Sequence, residues 1–151
     1  MMPQASGIAG LFAPLLLAGG LVIALAGLYR DDRRPWHYPL VAVLLLAIQT
    51  LLSATTALSF YVAWEFITLA SFFLIAQRGP ARAEVLRFLI FSLLAAFLIF
   101  SGFAVIAAET GMRDLAALSA APASALPGFM LLGLGFLIKT SAVGLHVWMP
   151  G

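Results

Sequence analysis

The chain has 151 residues, of which 64% are hydrophobic and 9% are charged, and its mean hydropathy is +1.10. No stretch is polar enough to cover a water-soluble globule, so this composition excludes a soluble domain and indicates an integral membrane protein. The absence of cysteine excludes a disulfide framework, a thiolate metal site and an iron–sulfur cluster bound by this chain, and the small net charge of +2 carries no nucleic-acid signal.

Long apolar runs separated by short polar turns predict an all-α, polytopic transmembrane helix bundle that forms one domain, residues 1–151. The boundary between the second and third runs falls near Ser53 to Ser59, where hydroxyl residues interrupt the apolar pattern. The connection after the fourth run is rich in Ala, Ser and Pro, and Asp114 is expected to cap a short surface helix there. The five predicted spans are 8–29, 40–57, 58–77, 85–108 and 128–148.

The basic residues report the orientation of the bundle. With five spans, the loops Arg30 to Tyr38 and Arg78 to Glu84 lie on the same side of the membrane. Together with Arg87, these loops carry six of the eight basic residues. The opposite side carries only Arg113. Because basic loops stay on the cytoplasmic side, the N-terminus is predicted to lie outside and the C-terminus in the cytoplasm.

Two charged residues fall inside predicted spans: Glu65 in the third and Lys139 in the fifth. Counted from the outer ends of their spans, they lie roughly 9 and 16 Å deep, so an interhelical ion pair is geometrically feasible. One interpretation is a static pair that fixes helix register. The other is proton transfer, since burial disfavours the charged ammonium and a nearby carboxylate favours it, so that a change in their separation switches Lys139 between holding and releasing a proton.

The residues near Glu65 and Lys139 fit either a structural role or a role in proton transfer. Thr68 follows Glu65 by one turn, and its hydroxyl is a candidate to bind the carboxyl group or a water. Small and hydroxyl residues around Lys139 favour either a local unwinding of the last helix or close helix packing. His146 lies two turns after Lys139 and is a candidate proton relay or a residue that hydrogen-bonds at the interface. The candidate supporting residues are Thr68, Thr140, Ser141 and Gly144.

Two motifs give the chain a family resemblance. The first motif resembles the FY-x-x-WE helix of the antiporter-like, proton-pumping membrane subunits, and it consists of Phe60, Tyr61, Trp64 and Glu65, followed by ITLASFFLIA. Such subunits occur in respiratory complex I, membrane-bound hydrogenases, formate hydrogenlyases and multisubunit cation/proton antiporters. The segment KTSAVGLHVWMP, which begins at Lys139, is similar to that family's lysine helix. The resemblance covers roughly residues 51–151. It implies that Glu65 modulates the pump, that Lys139 takes up and releases the proton, and that His146 relays it.

The resemblance also implies the setting of this activity. It predicts a multi-pass subunit of the inner cell membrane that works with other membrane subunits and with lipid, translocates protons or alternatively Na⁺, and binds no redox cofactor or metal itself. Gly144 stands where the family usually has a proline, and the family's module continues beyond residue 151 with an inverted repeat, so an incomplete module is expected. The alternatives are a subunit of a multisubunit cation/proton antiporter and a non-transporting assembly or scaffold protein.

Overall fold

The computed structural model describes residues 4–28, 36–77 and 82–140. Within these ranges the secondary structure is helical apart from one isolated antiparallel bridge, which confirms the predicted all-α class. Two short 3-10 helices, Leu115–Ala120 and Ala123–Ala125, join the last two α-helices. The α-helices are α1 (Gln4–Leu28), α2 (His37–Leu52), α3 (Ala57–Ala76), α4 (Arg82–Thr110) and α5 (Leu126–Lys139).

Two of the described helices are long and apolar enough to cross a membrane by length and composition: α3, and α4 over Ala83–Thr110. Three further apolar stretches are shorter: Phe12–Gly27, His37–Leu52 and Ala123–Lys139. The predicted number of spans and their orientation therefore stay predictions.

The helix boundaries agree best with the predicted spans around Glu65, where α3 lies within one residue of the predicted 58–77. The second span was predicted to reach residue 57, whereas α2 ends at Leu52. The Ser53 hydroxyl donates hydrogen bonds to the carbonyls of Gln49 (3.0 Å) and Thr50 (3.1 Å), and so satisfies carbonyls that the end of the helix leaves open. The predicted continuation of the fifth span to residue 148 lies outside the described residues.

The chain divides into two compact units, and the predicted single domain stays a prediction. The first unit contains α1, α2 and the part of α3 from Val62 onwards. In this unit α1 and α2 pack against each other through glycines, since a Cβ atom at Gly20 would collide with Leu45 and one at Gly27 would lie 3.0 Å from the Tyr38 hydroxyl oxygen. Small residues thus set the distance between the two helices.

The second unit contains residues 55–61, α4, the 3-10 helices and α5. Helix α4 ends at Thr110, and Gly111 follows with a φ of 71°, the left-handed conformation that glycine adopts at low cost after a helix. The chain then returns antiparallel to α4, and α4 and α5 form an extensive helix pair. Their backbones approach closely, because a Cβ atom at Gly102 would lie 2.7 Å from the Gly128 carbonyl oxygen.

In the described helices many large apolar side chains are exposed, which is the opposite of the pattern in a soluble protein. The buried positions are mainly small, for example Ala63, Ala70 and Ala95, whereas Leu17 and Phe97 are 71% and 66% exposed. An apolar surface of this extent is unfavourable in water and is the normal outer surface of helices that face lipid. The arrangement agrees with the membrane class that the composition indicates.

Candidate functional site

Glu65 lies near the middle of α3, an otherwise apolar helix. It is half-buried and its Oε1 atom is shielded from solvent. It lies eight positions after Ala57, the first residue of α3, which places it about 12 Å along the helix axis. Thr68 follows one turn later, is 5% exposed, and donates its hydroxyl proton to the Trp64 carbonyl (3.1 Å). Because this bond uses the hydroxyl proton, the Thr68 oxygen acts towards other groups only as a hydrogen-bond acceptor.

The start of α3 is held by a reciprocal pair of hydrogen bonds. The Thr56 N–H donates to Ser59 Oγ (3.2 Å), and the Ser59 N–H donates to Thr56 Oγ1 (3.1 Å). This is the pattern of a capping box, with serine in the position that is usually Glu or Gln. It satisfies backbone donors that the first turn leaves open, and it defines where the helix that carries Glu65 begins.

Backbone hydrogen bonds tie this cap to the connection that follows α4. The Ala57 N–H donates to the Arg113 carbonyl (2.8 Å), and the Leu115 N–H donates to the Thr55 carbonyl (2.9 Å). These bonds flank the isolated bridge between Thr56 and Asp114. The short helix predicted after Asp114 is present as a 3-10 helix with Asp114 at its N-cap position, but the Asp114 side chain makes no capping hydrogen bond. The extended backbone of Asp114 pairs with Thr56 instead.

The two aromatic residues that open the first motif pack on α4 and α5. The Phe60 ring lies 6.0 Å from that of Phe103 on α4 and 6.2 Å from that of Phe136 on α5, both close to perpendicular. The Tyr61 ring lies 5.3 Å from that of Phe100 on α4. The two edge-to-face pairs of Phe60 add to the stability from burial, and the Tyr61 and Phe100 rings meet at a tilt of 49°. The motif's aromatic residues therefore attach the beginning of α3 to the helix pair α4–α5.

Lys139 is the last residue of α5 and is half-buried. It lies thirteen residues after Leu126, about 20 Å along the helix. Thr140 caps this end: its N–H and its hydroxyl both donate to the Phe136 carbonyl, each at 2.8 Å. A cation at a helix C-terminus is favoured by the partial negative charge of the last carbonyls. Helix α5 therefore supports the positive charge of Lys139 at its end.

The described residues bring the predicted site together only in part. Glu65 and Thr68 share one turn of α3, and Lys139 and Thr140 are adjacent at the end of α5. Glu65 belongs to the first unit and Lys139 to the second, and their pairing stays a prediction. The remaining predicted residues, Ser141, Gly144 and His146, lie outside the described residues.

Sequence reasoning missed Ser92, in the apolar middle of α4. Its side chain is 1% exposed, and its Oγ makes no hydrogen bond within the part of the chain that the structure describes. The available signal was a single hydroxyl between Arg87 and Ser101, and only burial distinguishes it from a lipid-facing serine. Among the described residues no group of three or more His, Cys, Asp or Glu side chains is placed to hold a metal ion.

Comparison with known families is decisive for the class of this protein. The model of the transmembrane family described as "NADH:quinone oxidoreductase/Mrp antiporter, TM" matches residues 54–151, well over half of the chain. The chain belongs to this family. The matched residues include Glu65 and Lys139 and both motifs that carry the resemblance, and they make the protein a membrane protein of the antiporter-like class.

Individual relatives of this antiporter-like chain are subunits named for quinone reduction. It is 34% identical over 147 residues to NADH-quinone oxidoreductase subunit N of Syntrophotalea carbinolica, with 89% of this chain and 32% of the relative covered. It is 31% identical over 154 residues to subunit N 1 of Sorangium cellulosum, covering 90% and 30% of the two chains. It is 30% identical over 169 residues to subunit N of Desulfovibrio desulfuricans, covering 97% and 33%.

The antiporter-like chain thus spans about a third of the length of the curated relatives that it matches. No solved structure gives a significant match to it.

Proposed function

We propose that the chain takes part in proton translocation as part of an antiporter-like subunit of NADH-quinone oxidoreductase, in the inner cell membrane and beside other membrane subunits of that complex. In this proposal Lys139 takes up and releases the proton, Glu65 modulates that step, and His146 relays protons towards the cytoplasm. Thr68, Thr140, Ser141 and Gly144 support these groups. No redox group is assigned to this chain, and the driving energy comes from its partner subunits.

The first support is the cost of the two charged groups. A carboxylate or an ammonium near the centre of a bilayer costs roughly 2.5 to 3.5 kcal/mol on insertion scales, so such groups are rare and serve a task or a partner. Glu65 lies near the middle of an apolar twenty-residue helix, and Lys139 follows an apolar run of thirteen residues in α5. A task that changes protonation accounts for one group of each sign.

The observation that carries the proposal is the contact of Phe60 with Phe136. Phe60 belongs to the glutamate motif and precedes Glu65 by five residues on the same helix, whereas Phe136 precedes Lys139 by three residues. The packing of one motif thus extends to the helix that carries the other. A small rearrangement of the contact between Phe60 and Phe136 would change the packing next to Lys139 and at the first turns of the helix that carries Glu65, and a proton switch needs such a second arrangement.

The proton chemistry follows from the surroundings of the amine. When a carboxylate lies near Lys139, the ammonium is stabilised and the proton is held. When the carboxylate is protonated or distant, an apolar environment favours the neutral amine and the proton leaves. Movement of one charge against 100 mV requires about 2.3 kcal/mol, so alternation between the two states must be driven by the complex as a whole.

The test is the substitutions Glu65→Gln and Lys139→Ala in membranes that contain the assembled parent complex. Both variants should retain assembly and NADH oxidation by the redox subunits, while proton movement per NADH oxidised falls to a small fraction of the wild-type value. Glu109→Gln is the matched control for the carboxylate, because Glu109 is exposed at the last turn of α4, and Arg87→Ala controls for loss of a cation.

Two outcomes would reject the proposal. Normal pumping in both Glu65→Gln and Lys139→Ala would remove the proton role of these groups. Loss of assembly with an unchanged ratio of protons to NADH in the residual complex would support the scaffold alternative, in which the charges have a structural role only.

The family description favours one second candidate, a subunit of a cation/proton exchanger, because it includes the Mrp antiporter. Vesicles that contain the parent complex distinguish the two candidates. Proton movement that depends on an Na⁺ gradient and needs no NADH supports the exchanger, whereas movement that depends on NADH and not on Na⁺ supports the redox-driven pump.

A further inference from the structure

Ser92 differs from the helix threonines in how its oxygen is used. Four threonines, three within described helices and one directly after α5, donate their hydroxyl protons to the carbonyl four residues earlier, as is usual for hydroxyls in apolar helices. They are Thr50, Thr68, Thr110 and Thr140. Ser92 is more deeply buried than any of them, and its Oγ makes no hydrogen bond among the residues that the structure describes. Alanine would fill this position at no polar cost, as at the buried Ala95 and Ala96 nearby.

The register of the helix pair places Ser92 at the level of Lys139. Gly128 of α5 lies against Gly102 of α4, and seven residues later Gly135 lies against Ala95, seven residues earlier on α4. The helices are antiparallel, so one further turn along each leads from Ala95 to Ser92 and from Gly135 to the turn that contains Lys139.

The same residues also lie on the facing sides of the two helices. On α5 the residues that approach α4 are Gly128, Leu132 and Gly135, separated by four and three residues, and Lys139 follows four residues later. On α4 the row Gly102, Ile99 and Ala95 contacts α5, and Ser92 continues it at a spacing of three. Spacings of three and four keep residues on one helix face, so Ser92 continues the row on α4, and Ile138 and Lys139 together continue the row on α5.

We propose that Ser92 is a positioning residue for Lys139. Its hydroxyl forms a hydrogen bond with the lysine amine, directly or through one water, when the amine lies away from its carboxylate partner. The inference rests on the proposed function of Lys139 and names the second position of the switch. Lysine suits such a change of position, because its charged head is carried on a flexible four-carbon stem.

Serine is chemically suited to both protonation states. Its oxygen accepts a hydrogen bond from an ammonium, and its proton turns to the lone pair of a neutral amine. A neutral hydroxyl stabilises the ammonium less than a carboxylate does. The lysine therefore loses its proton more readily beside Ser92 than beside the carboxylate. Proton release at Ser92 and proton retention near a carboxylate are then the two ends of one cycle.

The experiment uses the fact that Lys139 is the only lysine in the 151-residue sequence. The parent complex in its membranes is treated at one fixed pH with a membrane-permeant acid anhydride, which acylates neutral amines, and the rate at Lys139 is followed by mass spectrometry of this chain. Ser92→Ala should slow acylation of Lys139 about 2- to 10-fold, the effect of losing one neutral hydrogen bond, and should slow proton translocation by a similar factor. Ser101→Ala, a serine lost from the same helix, should change neither rate.

An isosteric pair separates the hydroxyl from packing. Ser92→Thr and Ser92→Val add the same volume, but only threonine keeps the hydroxyl, so Ser92→Thr should acylate and translocate faster than Ser92→Val. Equal rates in these two variants, or wild-type acylation in Ser92→Ala, would overturn the inference while leaving the role of Lys139 intact. Normal translocation in Lys139→Ala would instead overturn the proposed function, whatever the acylation rates.

Discussion

The close approach of α4 and α5 makes a sharp prediction for Gly102→Ala. A Cβ atom at this position would lie 2.7 Å from the Gly128 carbonyl oxygen, 2.7 Å from Leu132 Cγ and 2.9 Å from the Leu132 nitrogen. Ordinary van der Waals contact begins near 3.4 Å, so the backbones must separate by several tenths of an ångström. Two of the three atoms are backbone atoms, which cannot move aside by rotation of a side chain.

Overpacking of this kind costs typically about 1 to 3 kcal/mol. Gly133→Ala is the matched control, because a Cβ atom there meets nothing within 4 Å and alanine favours the helix over glycine by about 1 kcal/mol. Both substitutions gain this helix preference, so we expect Gly102→Ala to be the less stable of the two by the overpacking cost alone, about 1 to 3 kcal/mol.

The assay is thermal unfolding of this chain within the parent complex in mild detergent, followed by protease susceptibility of the α4–α5 connection. Gly102→Ala should be cleaved at a clearly lower temperature than Gly133→Ala, and Gly133→Ala at the wild-type temperature or slightly above it. Equal transitions for the two variants would refute the tight register of α4 and α5, and with it the level at which Ser92 faces Lys139.

Two further predictions concern the start of α3. Thr56→Ala removes the reciprocal cap with Ser59 and should destabilise the chain by about 0.5 to 2 kcal/mol in the same thermal assay. Thr55→Ala, at the exposed neighbouring threonine, should have little effect, and equal losses in both would contradict the cap. The contact of Phe60 with Phe136 should give a coupling of about 0.5 to 1.5 kcal/mol in a double-mutant cycle with leucine, whereas Phe60 and the exposed Phe97 should be additive. A coupling near zero for the first pair would remove the link between the two motifs.

The sequence predicts the class of this protein because the class depends on quantities that need no contacts. Its apolar composition requires a membrane or a partner, and the all-α class and the membrane family are confirmed. The position of α3 was predicted to within one residue, since a long apolar run between polar turns leaves few alternatives. The sequence located the break after α2 only to the range Ser53 to Ser59, because the last residue of α2 depends on the hydrogen bonds of the Ser53 hydroxyl, which sequence patterns do not resolve.

The candidate site divides in the same way. Glu65 and Lys139 stand out in the sequence by themselves, because a charge in an apolar run is costly wherever the helices pack. The register of α4 against α5, the attachment of Phe60 to both helices and the burial of Ser92 were decided by tertiary structure. Each depends on which faces of two helices meet, and in a sequence apolar on every side no hydrophobic stripe marks that face. The small residues and the single hydroxyl acquire their meaning only when the helices are brought together.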